Sequence, residues 1–304
     1  MTDPRASHRV PRRRVDGVLL LDKDVGRSSN AVLQHAKRLF NAAKAGHTGT
    51  LDPLASGLLP ICFGEATKFA QLLLDADKSY LAKLHLGVTT KTGDAEGEVI
   101  ERREALSQQD SFEAVLPRFL GTISQQPPRH AALKYQGRSY YEYAREGVDI
   151  PRPAREVSIR SLRSGAWEPP YVELAVECSK GTYIRVLAED IGAALGCGAH
   201  LAALRRTATG GFNLADAVTL DALETMSSEQ RDATLLPADS PCAALPRCDL
   251  STTEAGALLE GRSVARPAMA EGVVRAYSAH RFVGVAEVAA GVLRARRLLA
   301  NSDG

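Results

Sequence analysis

Positions 46–60 read GHTGTLDPLASGLLP, with three glycines and two prolines in fifteen residues, and this run breaks the periodic N-terminal part of the chain into separate elements. Glycine lets the backbone come close to a neighbour or a ligand. Pro53 drives Asp52 towards an extended conformation and stiffens the loop beneath it. The segment before the run, residues 29–45, repeats at helical spacing, with Val32, Leu33, Ala36, Leu39, Phe40 and Ala43 on one face. Ser28 or Ser29 can cap its start and Gly46 its end. Further upstream, residues 15–21 form an apolar run that reads as a buried strand ending in Asp22-Lys23. Downstream, Lys78–Leu86 alternates as a strand, with Tyr80, Ala82, Leu84 and Leu86 on one side and Leu81, Lys83 and His85 on the other.

The rest of the chain divides in the same way. Residues 65–74 and 112–120 carry helical patterns, 89–98 is a polar turn region, and Pro127-Pro128 opens a second loop system that runs to Gly147. Residues 172–178 alternate as a strand, which turns through Gly181-Thr182 into a helix from about Tyr183 that buries Ile184, Leu187, Ile191 and Leu195. The acidic stretch 221–233 is helix-like. Pro237, Pro241 and Pro246 mark a boundary, and beyond it 273–277, 282–288 and 292–299 are three short strand-like runs. The expected organisation is a flexible basic tail over residues 1–14, a large domain over 15–240 and a small β-rich module over 245–304. The tail holds five arginines against one aspartate, as a solvated leader or a weak phosphate-binding arm would.

Composition narrows the function classes. A chain of 304 residues with 44% hydrophobic and 24% charged residues can bury a full core, but a net charge of +2 is too small to argue nucleic-acid binding from the total. The five cysteines are an odd number and form no C-x-x-C pair, so neither a disulfide framework nor a zinc site is expected and a reducing, cytoplasmic setting fits. No apolar run approaches a membrane-spanning length, and the N-terminus lacks the apolar stretch of a secretory signal. The phosphate-binding, dinucleotide-binding, zinc-protease and nucleophile-elbow motifs are all absent, which points to chemistry by side chains with no cofactor or metal.

Two places carry candidate chemistry. One is Asp52 in its glycine-rich loop, although a lone Asp-Pro pair is ordinarily a turn. The other is SKGTYIRVLAE at 179–189, where Arg185 falls in the first turn of a helix. A cation there opposes the helix dipole at a cost of roughly 0.3–1 kcal/mol, so it needs an anion. Such an arginine either snorkels on the surface or holds a carboxylate or phosphate in its fork.

These segments, taken together, resemble the TruB-type tRNA pseudouridine synthases. GHTGTLDPLASGLLP is similar to the family's catalytic loop. Asp22-Lys23 with Gly26, Lys78-Ser79-Tyr80, GVTTKTGDAEG at 87–97, Gln126-Pro127-Pro128, Tyr143-Ala144-Arg145-Glu146-Gly147, Gly181-Thr182-Tyr183-Ile184-Arg185 and Leu204-Arg205-Arg206 resemble its other blocks, in order. The tail after residue 245 resembles the family's PUA-like module more weakly. Two departures stand out: Asp24 replaces a proline after the lysine, and His130 replaces an aromatic after the proline pair.

The resemblance implies an α+β fold, with a mixed, largely antiparallel sheet flanked by helices and a C-terminal β-rich PUA-like module. It implies conversion of a T-loop uridine of tRNA to pseudouridine, a redox-neutral isomerisation in which the base is flipped out of the RNA. Asp52 would be the essential carboxylate, Arg185 its ion-pair partner, and Tyr80 would stack on the uracil and assist removal of the C5 proton. Leu204 would pack against the pocket, and His47 would fill the space the base leaves. Lys78, Tyr183 and Lys23 complete the expected substrate-binding set, with Lys23 either structural or a phosphate contact. The expected partner is the T-arm of tRNA, bound by a monomer. Two other readings stay open: a tRNA-binding folding factor with secondary or lost catalysis, and an unrelated aspartate-using hydrolase.

Overall fold

The computed structural model describes residues 11–105, 108–131 and 133–300, so most of the basic tail lies outside the described residues. Arg13, assigned to that tail from sequence, belongs to the folded domain. Its two guanidinium nitrogens bond both carboxylate oxygens of Asp232, and its backbone bridges to Ala42.

The first strand, β1 (Gly17–Lys23), is apolar and buried along nearly its whole length, as a strand covered on both faces must be. Helix α1 (Ser29–Leu39) starts where the Ser28 hydroxyl accepts a hydrogen bond from the Ala31 N–H. It is shorter than its pattern suggests, and Gly46 does not end it. The chain leaves the helix at Phe40, and Asn41 takes a left-handed backbone with φ 47°. Phe40 and Ala42 are still buried, so the apolar spacing outlasts the helix.

Half of the expected loop at 46–60 is strand. The short β2 (Ala45–His47) pairs with β3 (Ala55–Phe63), whose Leu58, Leu59, Ile61, Cys62 and Phe63 are all buried. Helix α2 (Ala70–Asp75) then leads into β4 (Lys78–Leu86), which alternates as expected. The polar region that follows is a hairpin of β5 (Val88–Thr90) and β6 (Val99–Arg102). Next come α3 (Gln109–Val115), β7 (Gly121–Gln125), a small hairpin of β8 (Lys134–Tyr135) and β9 (Arg138–Ser139), and α4 (Tyr140–Arg145). A long hairpin of β10 (Arg155–Glu168) and β11 (Tyr171–Cys178) runs into α5 (Ile184–Leu195), which Gly196 ends with a left-handed φ of 79°. After it, β12 (Ala199–Thr209) enters the middle of the sheet.

With β13 (Phe212–Asn213) and β14 (Val218–Thr219), the main sheet has ten strands, and its path runs β14-β1-β3-β12-β4-β11-β10-β7. The β1–β14 and β3–β12 pairs are parallel and the others antiparallel. This is the mixed, largely antiparallel sheet that the resemblance implies. On one side α3 and α5 pack on β4, β11 and β12, with Phe112, Leu174, Leu187 and Ile191 in the core. The acidic stretch splits into α6 (Leu220–Thr225) and α7 (Ser228–Ala233), the second capped by Ser227.

The C-terminal module forms a separate five-stranded sheet. Its strands are β15 (Arg247–Leu250), β16 (Val264–Ala265), β17 (Gly272–Ser278), β18 (Arg281–Ala289) and β19 (Val292–Leu298), joined by α8 (Thr252–Leu259) over a core of its own. The last three strands are the three runs read from the sequence.

Candidate active site

The loop carrying Asp52 is fixed from several directions. Ser29, at the start of α1, donates its hydroxyl to the Leu51 carbonyl at 2.9 Å and accepts from the Leu51 N–H at 2.8 Å. The Gly26 N–H donates to the Pro53 carbonyl, and the Ala55 N–H to the Asp52 carbonyl. Leu51 is buried in the core that packs against α1. The Asp52 backbone is therefore clamped, while its side chain keeps 44% of its surface open.

Facing it is Arg185, the first-turn arginine of α5, with only 7% of its side chain exposed. Arg185 Nη2 lies 3.1 Å from Asp52 Oδ2 and donates to the His130 carbonyl at 3.1 Å. Nη1 donates to Asp94 Oδ2 at 3.2 Å and to the Thr92 carbonyl. Asp94 is a residue that the sequence reading passed over as part of a polar turn. It is buried, and its other carboxylate oxygen accepts from Thr92 Oγ1 and the Glu96 N–H. One guanidinium thus bridges two carboxylates, a buried one that anchors it and an open one that it orients. Burial holds the Asp52 carboxyl above its ordinary value, opposed by Arg185 and reinforced by Asp94. The ion pair favours ionisation, as expected, but shielding from water outweighs it.

Asp52 lines a cleft of about 350 Å³, together with Tyr80, Leu204, Arg206, Tyr183 and Arg185. The sheet register explains how these meet. Lys23, Gly57, Arg206, Tyr80 and Val176 are successive cross-strand partners over β1, β3, β12, β4 and β11. Leu204 sits opposite Ala55 and Ala82 in the same sheet. Gly57 has φ +98°, and a Cβ there would stand 2.3 Å from the Arg206 carbonyl oxygen, so glycine is required for the strands to meet. Arg206, buried, donates to the Leu58 carbonyl at 2.7 Å and to the Gly49 carbonyl at 3.3 Å, holding both sides of the loop that carries Asp52. Burial raises the Tyr80 phenol above its ordinary value, with Arg206 opposing, so the ring is neutral. Tyr183 precedes α5, and its backbone exchanges two hydrogen bonds with the Gln125 side chain. Burial raises its phenol as well, with Arg155 opposing.

Three of the expected substrate contacts have other surroundings. Lys23 is completely buried and donates to the Asp24 and Ala55 carbonyls at 2.7 and 2.6 Å. It has no surface to offer a phosphate, and burial lowers its ammonium to about 8. Asp24 accepts through its backbone, which the proline usual at that position would also supply. Lys78 borders the cleft, but its ammonium donates to the Leu73, Leu74 and Ala76 carbonyls and so closes the end of α2. Burial lowers it too, to about 8. His47 stands on β2 opposite Ile61, outside the cleft lining, with Nδ1 buried and unpaired among the described residues. Burial and the nearby Arg206 lower its imidazole, which keeps the ring neutral.

The profile for the TruB family pseudouridylate synthase N-terminal domain matches residues 37–184. That of the tRNA pseudouridylate synthase B C-terminal domain matches 185–243, and that of the pseudouridine synthase II TruB C-terminal region matches 246–299. The tRNA pseudouridine synthase B of Thiobacillus denitrificans (strain ATCC 25259 / T1) is 58% identical over 290 residues, 95% of this chain and 97% of that one. Its counterpart in Azoarcus sp. (strain BH72) is 54% identical over 296 residues, 97% and 99% of the two chains. Among solved structures, a chain of a Cbf5-Nop10-Gar1 complex superposes with a TM-score of 0.69 at 29% identity, covering 89% of this chain and 78% of that one. A chain of an H/ACA RNP bound to a substrate RNA containing 2'-deoxyuridine gives a TM-score of 0.72 at 25% identity, covering 94% and 86%. Profile matches that run from residue 37 to 299, and relatives alike over nearly the whole chain, show that this protein belongs to the TruB family of tRNA pseudouridine synthases.

Proposed function

We propose that the protein isomerises a T-loop uridine of tRNA, with Asp52 as the essential carboxylate. The observation that carries this reading is the Asp52–Arg185–Asp94 arrangement at the cleft: one open carboxylate, oriented by a buried cation that a second carboxylate anchors. A uridine inside a folded loop must leave its stack to reach such a pocket. Neutral Tyr80 then offers its ring face to the uracil, and its hydroxyl can relay the C5 proton by accepting it on oxygen as the phenolic proton passes to solvent. Leu204 closes the apolar side of the pocket. Neutral His47, beside the pocket rather than in it, fills the gap left in the RNA. Lys23 and Lys78 act through the loop and strand that they fix.

Asp52→Asn tests the assignment because it keeps the shape and removes the charge. On T-arm RNA labelled with tritium at uridine C5, the variant releases no tritium above background. It binds tRNA within about tenfold of the wild type, since phosphate contacts dominate affinity. Turnover near the wild-type rate removes Asp52 from the mechanism. The same assay separates the enzyme from a tRNA-binding folding factor, which binds without releasing tritium.

A further inference from the structure

A third arginine enters the same cleft and forms no ion pair with Asp52. Arg155 opens β10 and borders the cleft alongside Ser179, Gly181 and Tyr183. Its guanidinium stands over the Tyr183 ring, 4.7 Å from the ring centre, and donates from Nη2 to the Gly181 carbonyl. Gly181 is left-handed at φ +80°, and a Cβ there would lie 3.3 Å from Arg155 Cζ, so the turn leaves room for the guanidinium. Arg155 Nε is buried with no hydrogen-bond partner among the described residues. No carboxylate among them forms an ion pair with it. The other cations of the cleft are engaged: Arg185 by two aspartates, Lys78 by three carbonyls and Arg206 by two. Arg155 is half-buried and combines an unneutralised charge, an orphan donor and a ring that fixes its plane.

We propose that Arg155 binds a backbone phosphate of the RNA immediately beside the uridine that enters the cleft. This rests on the cleft receiving a flipped uridine, as set out above. Flipping rotates a nucleotide about its backbone and leaves its own phosphates at the pocket mouth. A guanidinium matches a phosphate with paired donors, and stacking on Tyr183 pre-organises it for that contact.

The test uses the full chain and T-arm stem-loops tritiated at uridine C5. In one RNA the phosphate 5' to the target uridine is an uncharged methylphosphonate, and in another the phosphate 3' to it. Arg155→Gln is expected to raise KM about tenfold on the unmodified RNA, with kcat within about twofold. Its slope of log KM against log salt should fall by about 0.7. One methylphosphonate should penalise the wild type by a similar factor and leave Arg155→Gln unaffected. Arg155→Lys, which keeps the charge, should keep the salt slope and part of the methylphosphonate penalty. Equal penalties in the wild type and Arg155→Gln overturn the proposal, as does a wild type indifferent to both replacements. If Arg155→Gln does not fold, a folded Arg155→Lys without any penalty overturns it too. A wild type that releases no tritium from unmodified stem-loop overturns the proposed function itself, and this one with it, so the two failures are told apart.

Discussion

Asp52 is subject to opposing influences: burial pushes its carboxyl up and Arg185 pulls it down. The role proposed for Asp52 requires the ionised form, so on that proposal kcat/KM falls on the acid side as pH drops through the raised value. The acid limb therefore lies above the ordinary aspartate value of 3.8. Arg185→Gln removes the lowering influence, so whatever activity survives should show its acid limb at higher pH. Arg185→Lys keeps the charge but loses the planar fork that spans Asp52 and Asp94, and its turnover should drop at least about a hundredfold with the limb less displaced. The pH–rate profiles of the three proteins decide this, and a limb that moves to lower pH in Arg185→Gln contradicts the pairing. The local settings of Asp52 and Arg185, a glycine-rich loop and the first turn of a helix, single them out in the sequence, but only the family resemblance pairs them, and the structure brings them to 3.1 Å. Asp94 is not singled out in this way. Its neighbours Thr92, Gly93 and Gly97 spell a turn, and only the tertiary structure buries its carboxylate beside a guanidinium 91 positions away.

At the scale of elements, legibility followed burial pattern. Strand β4 alternates cleanly, and its sequence pattern ends where the strand does, at Lys78 and Leu86. The two longest strands of the sheet were missed. One face of β10 is open to solvent, so arginines and serines interrupt its apolar positions. In β12 the buried Arg206 puts a charge where the pattern calls for a hydrophobe, because that arginine bonds carbonyls on both sides of the Asp52 loop. Gly57 misled in the opposite sense. It reads as a turn, yet it sits within β3 to admit the Arg206 backbone. Gly57→Ala should destabilise the protein by roughly 1–3 kcal/mol, through left-handed strain and overpacking, and should reduce turnover by displacing the catalytic loop. Gly46→Ala is the control, because a Cβ there meets nothing within 4 Å and no left-handed backbone is involved. Denaturant melts of the two variants compare them directly, and equal stabilities rule out the close-approach account.

Across the whole molecule, the C-terminal module is joined to the catalytic domain by an apolar contact as well as by the linker. Phe69, which follows β3 by one short 3-10 turn, meets Phe282 of β18 with ring centres 5.2 Å apart, and Cys242 and Val285 bury themselves in the same cluster. Polar bonds frame it: Lys68 donates to the Leu298 carbonyl at 3.0 Å, and the Ala300 N–H donates to Glu65 at 2.6 Å. The prolines at 237, 241 and 246 set the expected boundary, and the module beyond it can either cover an apolar edge or reach out to RNA through its arginines. The contact supports the covering role, and it leaves the arginines of β19 on the exposed surface, with Arg296 paired to Glu287 at 3.7 Å. Phe69→Ala removes a buried ring from this junction and should cost about 3–5 kcal/mol if the two units unfold together. The expected result is a single calorimetric transition at lower Tm, with kcat nearly unchanged at temperatures where the protein stays folded, because the ring belongs to a cluster that contains none of the cleft residues. If the units are thermodynamically independent, the substitution instead splits the melt into two transitions and shifts only the catalytic one. Truncation after Pro246 discriminates further. It strips Phe69 and Cys242 of their cover, and a fragment that nevertheless stays soluble and melts at the wild-type temperature shows that the contact contributes nothing to stability.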